Sequence, residues 1–184
     1  METTRPVRPR FYGIDTYQDP LGRFTFRFPI DWHKFEPTGG QEGAIYSPQA
    51  NNPQTWFSVL VSRLDENVVA EDMENLSSGV DEGIQSLPES HIEKTADDVL
   101  GNLVKLERVY TFREDGAIRK RRVWVLYVDE WLMVVAYQGE SPEEYQYWLP
   151  MGNFCFDNFR LPEALWFATD RELSGYMKRQ APST

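Results

Sequence analysis

Residues 17–32 read YQDPLGRFTFRFPIDW, and this stretch decides the fold. Residues 19–22 (DPLG) predict a tight turn, because proline presets φ and glycine accepts a positive φ at the exit. Phenylalanines at positions 24, 26 and 28 then alternate with polar residues, which indicates a strand with one aromatic face. Pro29 predicts the end of that strand, since it has no N–H to donate. Trp32 follows and is expected to plug one end of a core.

The chain around this stretch predicts further strands and a first helix. Strands are expected at residues 12–17, 44–46 and 55–64. In residues 68–87 apolar side chains recur at steps of three and four, which is typical of an amphipathic helix. Asn67 is the predicted N-cap, and Pro88 is the predicted stop.

Four long strands are predicted next, at residues 90–98, 102–114, 117–129 and 131–138. Asp115–Gly116 is a strong hairpin signal between the second and third of them. A tight turn at Asp129–Glu130 is expected before the fourth. Both sides of residues 123–136 are apolar, which is typical of a central strand pair in a sheet that is covered on both faces.

Two more helices are predicted towards the end of the chain. Ser141 is the expected N-cap of the first, and Pro142 suits its first helical position. Pro150 lies inside the pattern and predicts a kink or a break. The last helix is expected over residues 163–178, with one apolar stripe formed by Leu165, Thr169, Leu173 and Tyr176. The sequence therefore predicts an α+β fold in which helices flank a central antiparallel sheet.

Composition narrows the class of protein. The chain has 184 residues, a net charge of −10, a single cysteine and 26 aromatic residues. Such acidity gives little attraction for nucleic acid or anionic lipid, and no apolar run is long enough to span a membrane. The start of the chain has no signal-peptide pattern. We therefore expect a cytoplasmic protein without nucleic-acid partners, metal or organic cofactor.

The order of these elements resembles the PsbP-like family, whose wider fold group includes the Mog nuclear-import factor. The resemblance lies in Tyr17, Asp19, Gly22, Phe24, Phe26, Pro29 and Trp32, with the strand at 108–110 and the helix at 141–159. It implies an α/β/α sandwich and a noncatalytic role in binding or assembly, as in extrinsic photosystem II subunits and small-GTPase binders. The predicted organisation is a flexible tail (1–10), a PsbP-like domain (11–161) and a helical extension (162–184). The extension, Pro150 and the missing export signal depart from the family pattern.

Two groups of residues could bind a metal. His33 lies near Asp31 and Glu36, although no known ligand spacing is matched, and we favour a solvated histidine. A second group at positions 89, 91 and 93 (Glu, His, Glu) would share one face of a strand. We favour a polar edge strand there over a cation site.

The only dense basic run is RKRR at residues 119–122. On a strand, Arg119 and Arg121 would face one way, and the run could form an anion-binding patch. The favoured alternative is cross-strand pairing with Glu107 or Glu114. Cys155, between two phenylalanines, is interpreted as a small buried hydrophobe and not a nucleophile. The candidate binding surface is Trp32, His33, Arg119, Arg121 and Trp166.

Two functions remain open from the sequence. The favoured one is a noncatalytic binding or assembly module with a protein partner, and a homodimer is an open alternative. The alternative is a small-ligand carrier or small enzyme with a pocket between the sheet and residues 31–46. The C-terminal helix is expected to dock on its own sheet, with docking on a second copy as the alternative.

Overall fold

The structure is a computed structural model that describes residue 6, residues 8–66, residue 68 and residues 72–166. Twelve elements follow one another in this part of the chain. They are β1 (Ile14–Gln18), β2 (Thr25–Pro29), β3 (His33–Phe35), β4 (Glu42–Ser47), β5 (Trp56–Arg63), α1 (Met73–Gln85), β6 (His91–Leu100), β7 (Leu103–Glu114), β8 (Ala117–Val128), β9 (Trp131–Gly139), α2 (Pro142–Asp157) and α3 (Glu163–Trp166).

A seven-stranded sheet with the order β3-β4-β5-β9-β8-β7-β6 forms the centre, and β1 and β2 form a separate two-stranded sheet. Every strand pair is antiparallel, which confirms the predicted sheet. The predicted hairpin is present, because β7 and β8 pair from Glu114↔Ala117 to Leu103↔Val128. Its turn residues Asp115 and Gly116 both have positive φ, at 50° and 79°. That pair of values is the one a two-residue hairpin turn requires.

One face of the large sheet, which we call the aromatic face, packs against α2 and the β1–β2 hairpin. The alternating phenylalanines in and just before β2 supply its centre, with the Phe24 and Phe26 rings stacked at 6.3 Å and the Phe26 ring lying 5.1 Å from the Phe57 ring. These rings are fully buried. The predicted role of residues 17–32 is therefore confirmed, since this hairpin closes the main core.

The opposite face, which we call the α1 face, packs against α1. Ile84 is the buried apolar anchor of this helix, and Val80 and Leu87 pack beside it on Tyr110 and Val123. The helix is shorter than the predicted residues 68–87. Its predicted N-cap, Asn67, lies outside the described residues.

Helix α2 is continuous through Pro150, so the predicted break is wrong. Ser141 caps it as predicted, and its hydroxyl oxygen accepts a hydrogen bond from the Glu144 N–H at 3.2 Å. Gly152 lets the helix lie flush on the sheet, because a Cβ there would come within 2.8 Å of the Tyr137 ring. Close packing on the sheet holds the helix together where Pro150 removes one hydrogen bond.

The last helix begins where the sequence predicts, at Glu163, and its first turn is described as far as Trp166. The predicted stripe residues Thr169, Leu173 and Tyr176 lie outside the described residues. Leu165 and Trp166 pack on the core of the aromatic face. The boundaries 1–10, 11–161 and 162–184 stay predictions. Strand β3 was not predicted, because three residues carry too little pattern.

Candidate functional site

The residues of the predicted binding surface do not form one surface. Trp32 is buried, and its ring meets the Trp148 ring edge-on at 6.1 Å, so it belongs to the core and offers no binding face. His33 is exposed on the edge strand β3. Trp166 lies at the end of α3, beside the β6–β7 turn, where its carbonyl accepts from the Asn102 N–H at 3.0 Å.

Arg119 and Arg121 do not form the anion-binding patch that was the less favoured interpretation of the basic run. The Arg119 guanidinium is buried and donates to the Glu140 carbonyl at 2.6 Å and to the Gln54 side chain at 2.7 Å. Arg121 donates twice to the Gln138 side chain, at 3.0 Å and 2.5 Å. Both guanidinium groups therefore order the open end of the β8–β9 hairpin through partners of the same chain. Among the described residues, the buried Nε of Arg119 has no hydrogen-bond partner and lies 3.7 Å from a Glu114 carboxylate oxygen.

The other two members of the basic run, Lys120 and Arg122, lie on the aromatic face of the sheet. Lys120 forms an ion pair with Glu93 at 2.5 Å, and Arg122 forms one with Glu107 at 3.1 Å. Burial alone would raise the pKa of Glu107, but Arg122 and Lys94 outweigh burial and hold that pKa below its usual value. The predicted pairing across the hairpin is thus found at Glu107.

The residues Glu89, His91 and Glu93 lie at the edge of the sheet, as the favoured interpretation predicts, and do not form the cation site that was the alternative. Glu89 lies in the turn before the strand at a φ of 49°, and its carboxylate binds Arg113 at 2.6 Å. A β-bulge between Ile92 and Lys94 shifts the register of the β6–β7 pairing from Lys94 onward. Across residues 8–66 and 72–166, no group of three histidine, cysteine, aspartate or glutamate side chains could hold a metal ion.

A buried ionic cluster joins α1 to the sheet. The fully buried Arg108 guanidinium donates to Asp81 at 2.5 Å, to Asp97 at 2.5 Å and to the Ser77 hydroxyl at 2.7 Å. Ser77 in turn donates to Asp97 at 2.6 Å. Burial would raise the pKa of Asp97, yet the bonds from Arg108 and Ser77 lower it below its usual value. Sequence reasoning missed this cluster, although one arginine at position 108 interrupts the apolar alternation of β7.

The resolved pKa shifts of the described carboxyl, tyrosine and cysteine side chains all lead away from neutrality. Burial raises the pKa of Tyr46 and of Tyr145 to about 12 and also raises the pKa of the Cys155 thiol. The shifted carboxyl groups, such as those of Asp97 and Glu107, have lowered pKa values. A general acid or base works best with a pKa near the working pH, so these shifts favour structural roles. Cys155 is buried, as the sequence predicts.

Exposed apolar side chains cluster where the N-terminal segment meets the β1–β2 hairpin. We define Phe11, Tyr12, Ile14 and Ile30 as the N-terminal apolar patch. Tyr12 is 74% exposed and Ile30 is 56% exposed, while the other two are half-exposed. The Ile30 N–H donates to the carbonyl of Gly13 at 3.0 Å, which keeps the two chain segments together. The patch was not predicted, because the sequence does not show which apolar residues stay outside the core.

A shallow depression lies beside this patch, on the outer side of α2. Its walls are Arg8, Pro142, Glu143, Gln146, Tyr147, Leu149, Pro150 and Asn153. It is not the predicted pocket between the sheet and residues 31–46. That space holds buried aromatic rings, among them Trp32, Phe28 and Tyr46, and the last two lie only 3.8 Å apart.

Comparison with solved structures identifies the architecture. The solution structure of cyanobacterial PsbP (CyanoP) from Synechocystis sp. PCC 6803 is similar with a TM-score of 0.58 at 10% identity, over 88% of this chain and 97% of that one. The chain has a PsbP-like fold. The crystal structure of LpqN, involved in cell envelope biogenesis of Mycobacterium tuberculosis, is similar with a TM-score of 0.56 at 15% identity, over 81% of this chain and 92% of that one.

At these identities the likeness shows the PsbP-like fold alone. No protein-family model and no curated protein matches the chain. Among the described residues, no helix has both the length and the apolar character needed to cross a membrane.

Proposed function

We propose that this protein is a noncatalytic binding module that docks a protein partner through the N-terminal apolar patch. The observation that carries the proposal is the exposure of Tyr12 and Ile30 on two chain segments that a backbone hydrogen bond from Ile30 to Gly13 holds side by side. Scattered single apolar residues are normal on protein surfaces, whereas a contiguous group rimmed by polar residues marks an interaction site. Arg8, Arg10 and Asp31 are exposed around it and would form such a rim.

The patch is held in place before any partner arrives. Ile14 is paired with Pro29 in the β1–β2 sheet, and the Phe11 ring packs edge-on against Phe154 of α2 at 5.1 Å. A surface that is already ordered loses less conformational entropy when it binds. We therefore expect a partner to bind the patch as a surface that is already formed.

The size of the patch suits the centre of an interface. Stable interfaces bury about 800 Å² on each partner, which is more than four partly exposed side chains supply. A few buried aromatic and aliphatic anchors usually provide most of the binding energy, and a polar rim surrounds them. We infer that Tyr12 is the principal anchor, because its ring is large and the most exposed of the four.

The chemistry elsewhere supports binding in preference to catalysis. The space where the alternative function requires a pocket holds the rings of Trp32 and Tyr46. The net charge of −10 gives a nucleic-acid partner no electrostatic advantage. With one cysteine, the chain suits the reducing cytoplasm. A second copy of the chain is one possible occupant of the patch and is an outcome of the test below.

A photo-cross-linking experiment tests the proposal. A benzophenone amino acid replaces Tyr12 in one variant and Leu21 in a matched control, since Leu21 is also exposed but lies at the other end of the hairpin. Illumination in native lysate should give one dominant protein adduct from position 12 and none from position 21. Adding Ile30→Asp should abolish that adduct. Equal adducts at both positions, or no loss with Ile30→Asp, would contradict the proposal. An adduct at twice the chain mass would identify a second copy.

A further inference from the structure

Among the described lysines and arginines, three arginines beside the N-terminal apolar patch are the ones without a partner in the chain. They are Arg8, Arg10 and Arg27, and all three are exposed. Every other lysine and arginine in the described part of the chain makes an ion pair or a side-chain hydrogen bond within the chain. The unpaired guanidinium groups therefore collect where the exposed apolar side chains collect.

The backbone places these arginines next to the apolar residues. Arg10 directly precedes Phe11 in the chain. Arg27 and Ile14 lie on the same side of the β1–β2 sheet, in cross-strand pairs that are two residues apart. Arg8 lines the depression beside α2, the helix against which the Phe11 ring packs. The three guanidinium groups are thus distributed around the patch.

The nearby carboxylates leave these guanidinium groups free. Asp15 accepts the backbone N–H of the next residue at 2.7 Å, and hydrogen bonds at the N-terminus of α2 lower the pKa of Glu143. Asp31 is exposed. Within the described part of the chain, none of these three carboxylates forms an ion pair with the three arginines. The arginines therefore keep their hydrogen-bond donors available to a ligand.

Charge is distributed unevenly along the chain. Residues 1–31 contain five arginines and four acidic residues, so the whole excess of acidic residues lies in residues 32–184. A nucleic acid or an anionic membrane is larger than the patch and would also meet that acidic remainder. A folded protein partner, in contrast, can place a few carboxylates at the arginines alone.

We propose that the partner of the N-terminal apolar patch presents carboxylate side chains to Arg8, Arg10 and Arg27, around an apolar pocket that takes the Tyr12 ring. This inference rests on the proposed function and specifies the chemistry of the partner. Arginine binds a carboxylate through two parallel N–H···O bonds, and arginine and tyrosine are frequent anchors of interfaces. A second copy docked patch to patch is disfavoured, because a two-fold interface would bring the arginines of both copies together.

The Tyr12 photo-cross-link in native lysate tests the role of the arginines. The benzophenone chain is compared with the same chain carrying Arg8→Gln, Arg10→Gln and Arg27→Gln. An exposed ion pair changes affinity by up to about fivefold, so the triple variant should need about tenfold more protein for the same adduct yield. Arg63→Gln is the matched control, because its side chain is 69% exposed but is paired within the chain. An unchanged yield in the triple variant, or an equal loss in the control, would overturn the proposal.

Salt gives a second readout of the same adduct. Raising NaCl from about 50 mM to about 300 mM should lower the yield from the parent chain and leave the yield from the triple variant unchanged, because salt screens exposed charges. The same salt dependence in both chains would contradict the proposal.

Carbodiimide coupling identifies the chemical group on the partner. Arg27→Lys places an amine where the guanidinium lies, and carbodiimide condenses an amine with a carboxylate to an amide with loss of water. The expected product in native lysate is an amide between position 27 and an aspartate or glutamate of the protein that position 12 cross-links. No such product, or binding to phosphatidylserine vesicles that the triple variant loses, would overturn the proposal.

Failure of this inference can be told apart from failure of the proposed function. If position 12 gives no dominant adduct, the protein-binding module itself is refuted. If a dominant adduct forms and is unaffected by loss of the three arginines, only the carboxylate chemistry of the partner is refuted.

Discussion

Replacing Arg108 tests how α1 is held on the sheet. Arg108→Met removes the cation that binds Asp81, Asp97 and Ser77 and keeps an apolar side chain of similar length. Breaking a buried ion pair from one side costs about 3–5 kcal/mol, because the remaining charge stays unpaired. The carboxylate side chains of Asp81 and Asp97 keep 32% and 21% exposure, so water screens them in part. We therefore expect a loss of about 3 kcal/mol in the free energy of unfolding, at the low end of that range.

Urea unfolding at pH 7 measures the loss. With an m-value of about 2 kcal/mol per molar, the midpoint should fall by about 1.5 M. Arg113→Met is the control on the same strand, because Arg113 pairs with Glu89 near the surface, where the two side chains keep 39% and 61% exposure. The control should unfold like the wild type. A midpoint shift below about 0.5 M for Arg108→Met, or an equal shift in the control, would refute the reasoning.

The pH dependence of the effect has a defined sign. Asp97 has a lowered pKa in the folded chain, so its contribution is present above its unfolded pKa of about 3.9 and is lost as the pH falls through the folded pKa. Arg108→Met abolishes that lowering. Without Arg108, burial favours the protonated form of Asp97 in the variant, so the difference in stability between wild type and variant should be largest near pH 7 and shrink as the pH falls. A difference that grows on acidification would contradict this account.

A triple variant separates charge from packing. In Arg108→Met with Asp81→Leu and Asp97→Val, no carboxylate remains unpaired. Replacing a whole buried ionic group by apolar side chains is often neutral or stabilising, so stability should return to within about 1 kcal/mol of the wild type. No recovery would mean that the cluster is needed for the position of α1 itself.

Three further predictions use features of the core. Trp124→Ala should cost about 3 kcal/mol in urea unfolding, because the ring packs on the core while remaining half-exposed, and a loss below about 1 kcal/mol would place it outside the core. Gly43→Ala should strongly lower Tm, since φ is 137° and a Cβ would lie 2.0 Å from the Val59 carbonyl oxygen, while Gly40→Ala, with open space around it, should lower Tm less. Cys155 should react with a thiol reagent only on unfolding, because its thiol is buried and its pKa is raised, and rapid labelling of the folded chain would disprove this.

Much of the fold could be predicted because its signals are local. Alternating phenylalanines in β2, the Asp115–Gly116 turn and the cap at Ser141 each depend on residues close together in sequence. Pro150 was misjudged for the opposite reason. Its cost is local, but the packing that outweighs it comes from Tyr137 in a distant strand.

The candidate site could not be predicted in the same way. Arg119 and Arg121 read as surface cations, yet their partners Glu140, Gln54 and Gln138 come from other strands and loops. From the sequence, Trp32 could be either a core residue or a binding residue. Its burial in the structure assigns it to the core. The exposure of Tyr12 depends on how the N-terminal segment packs beside the β1–β2 hairpin. These properties follow from long-range contacts, which a single sequence does not reveal.

The strand order has a consequence for synthesis on the ribosome. Strand β5 lies between β4 and β9, and β9 leaves the ribosome only after α1 and three other strands have been made. During that interval the apolar edge of β5 has no partner, and unpaired edges of this kind promote aggregation. The β6–β9 strands are joined by short turns and can pair locally, so we expect them to form first. Pulsed hydrogen exchange during refolding should then show protection of the β7 and β8 amides before those of β5.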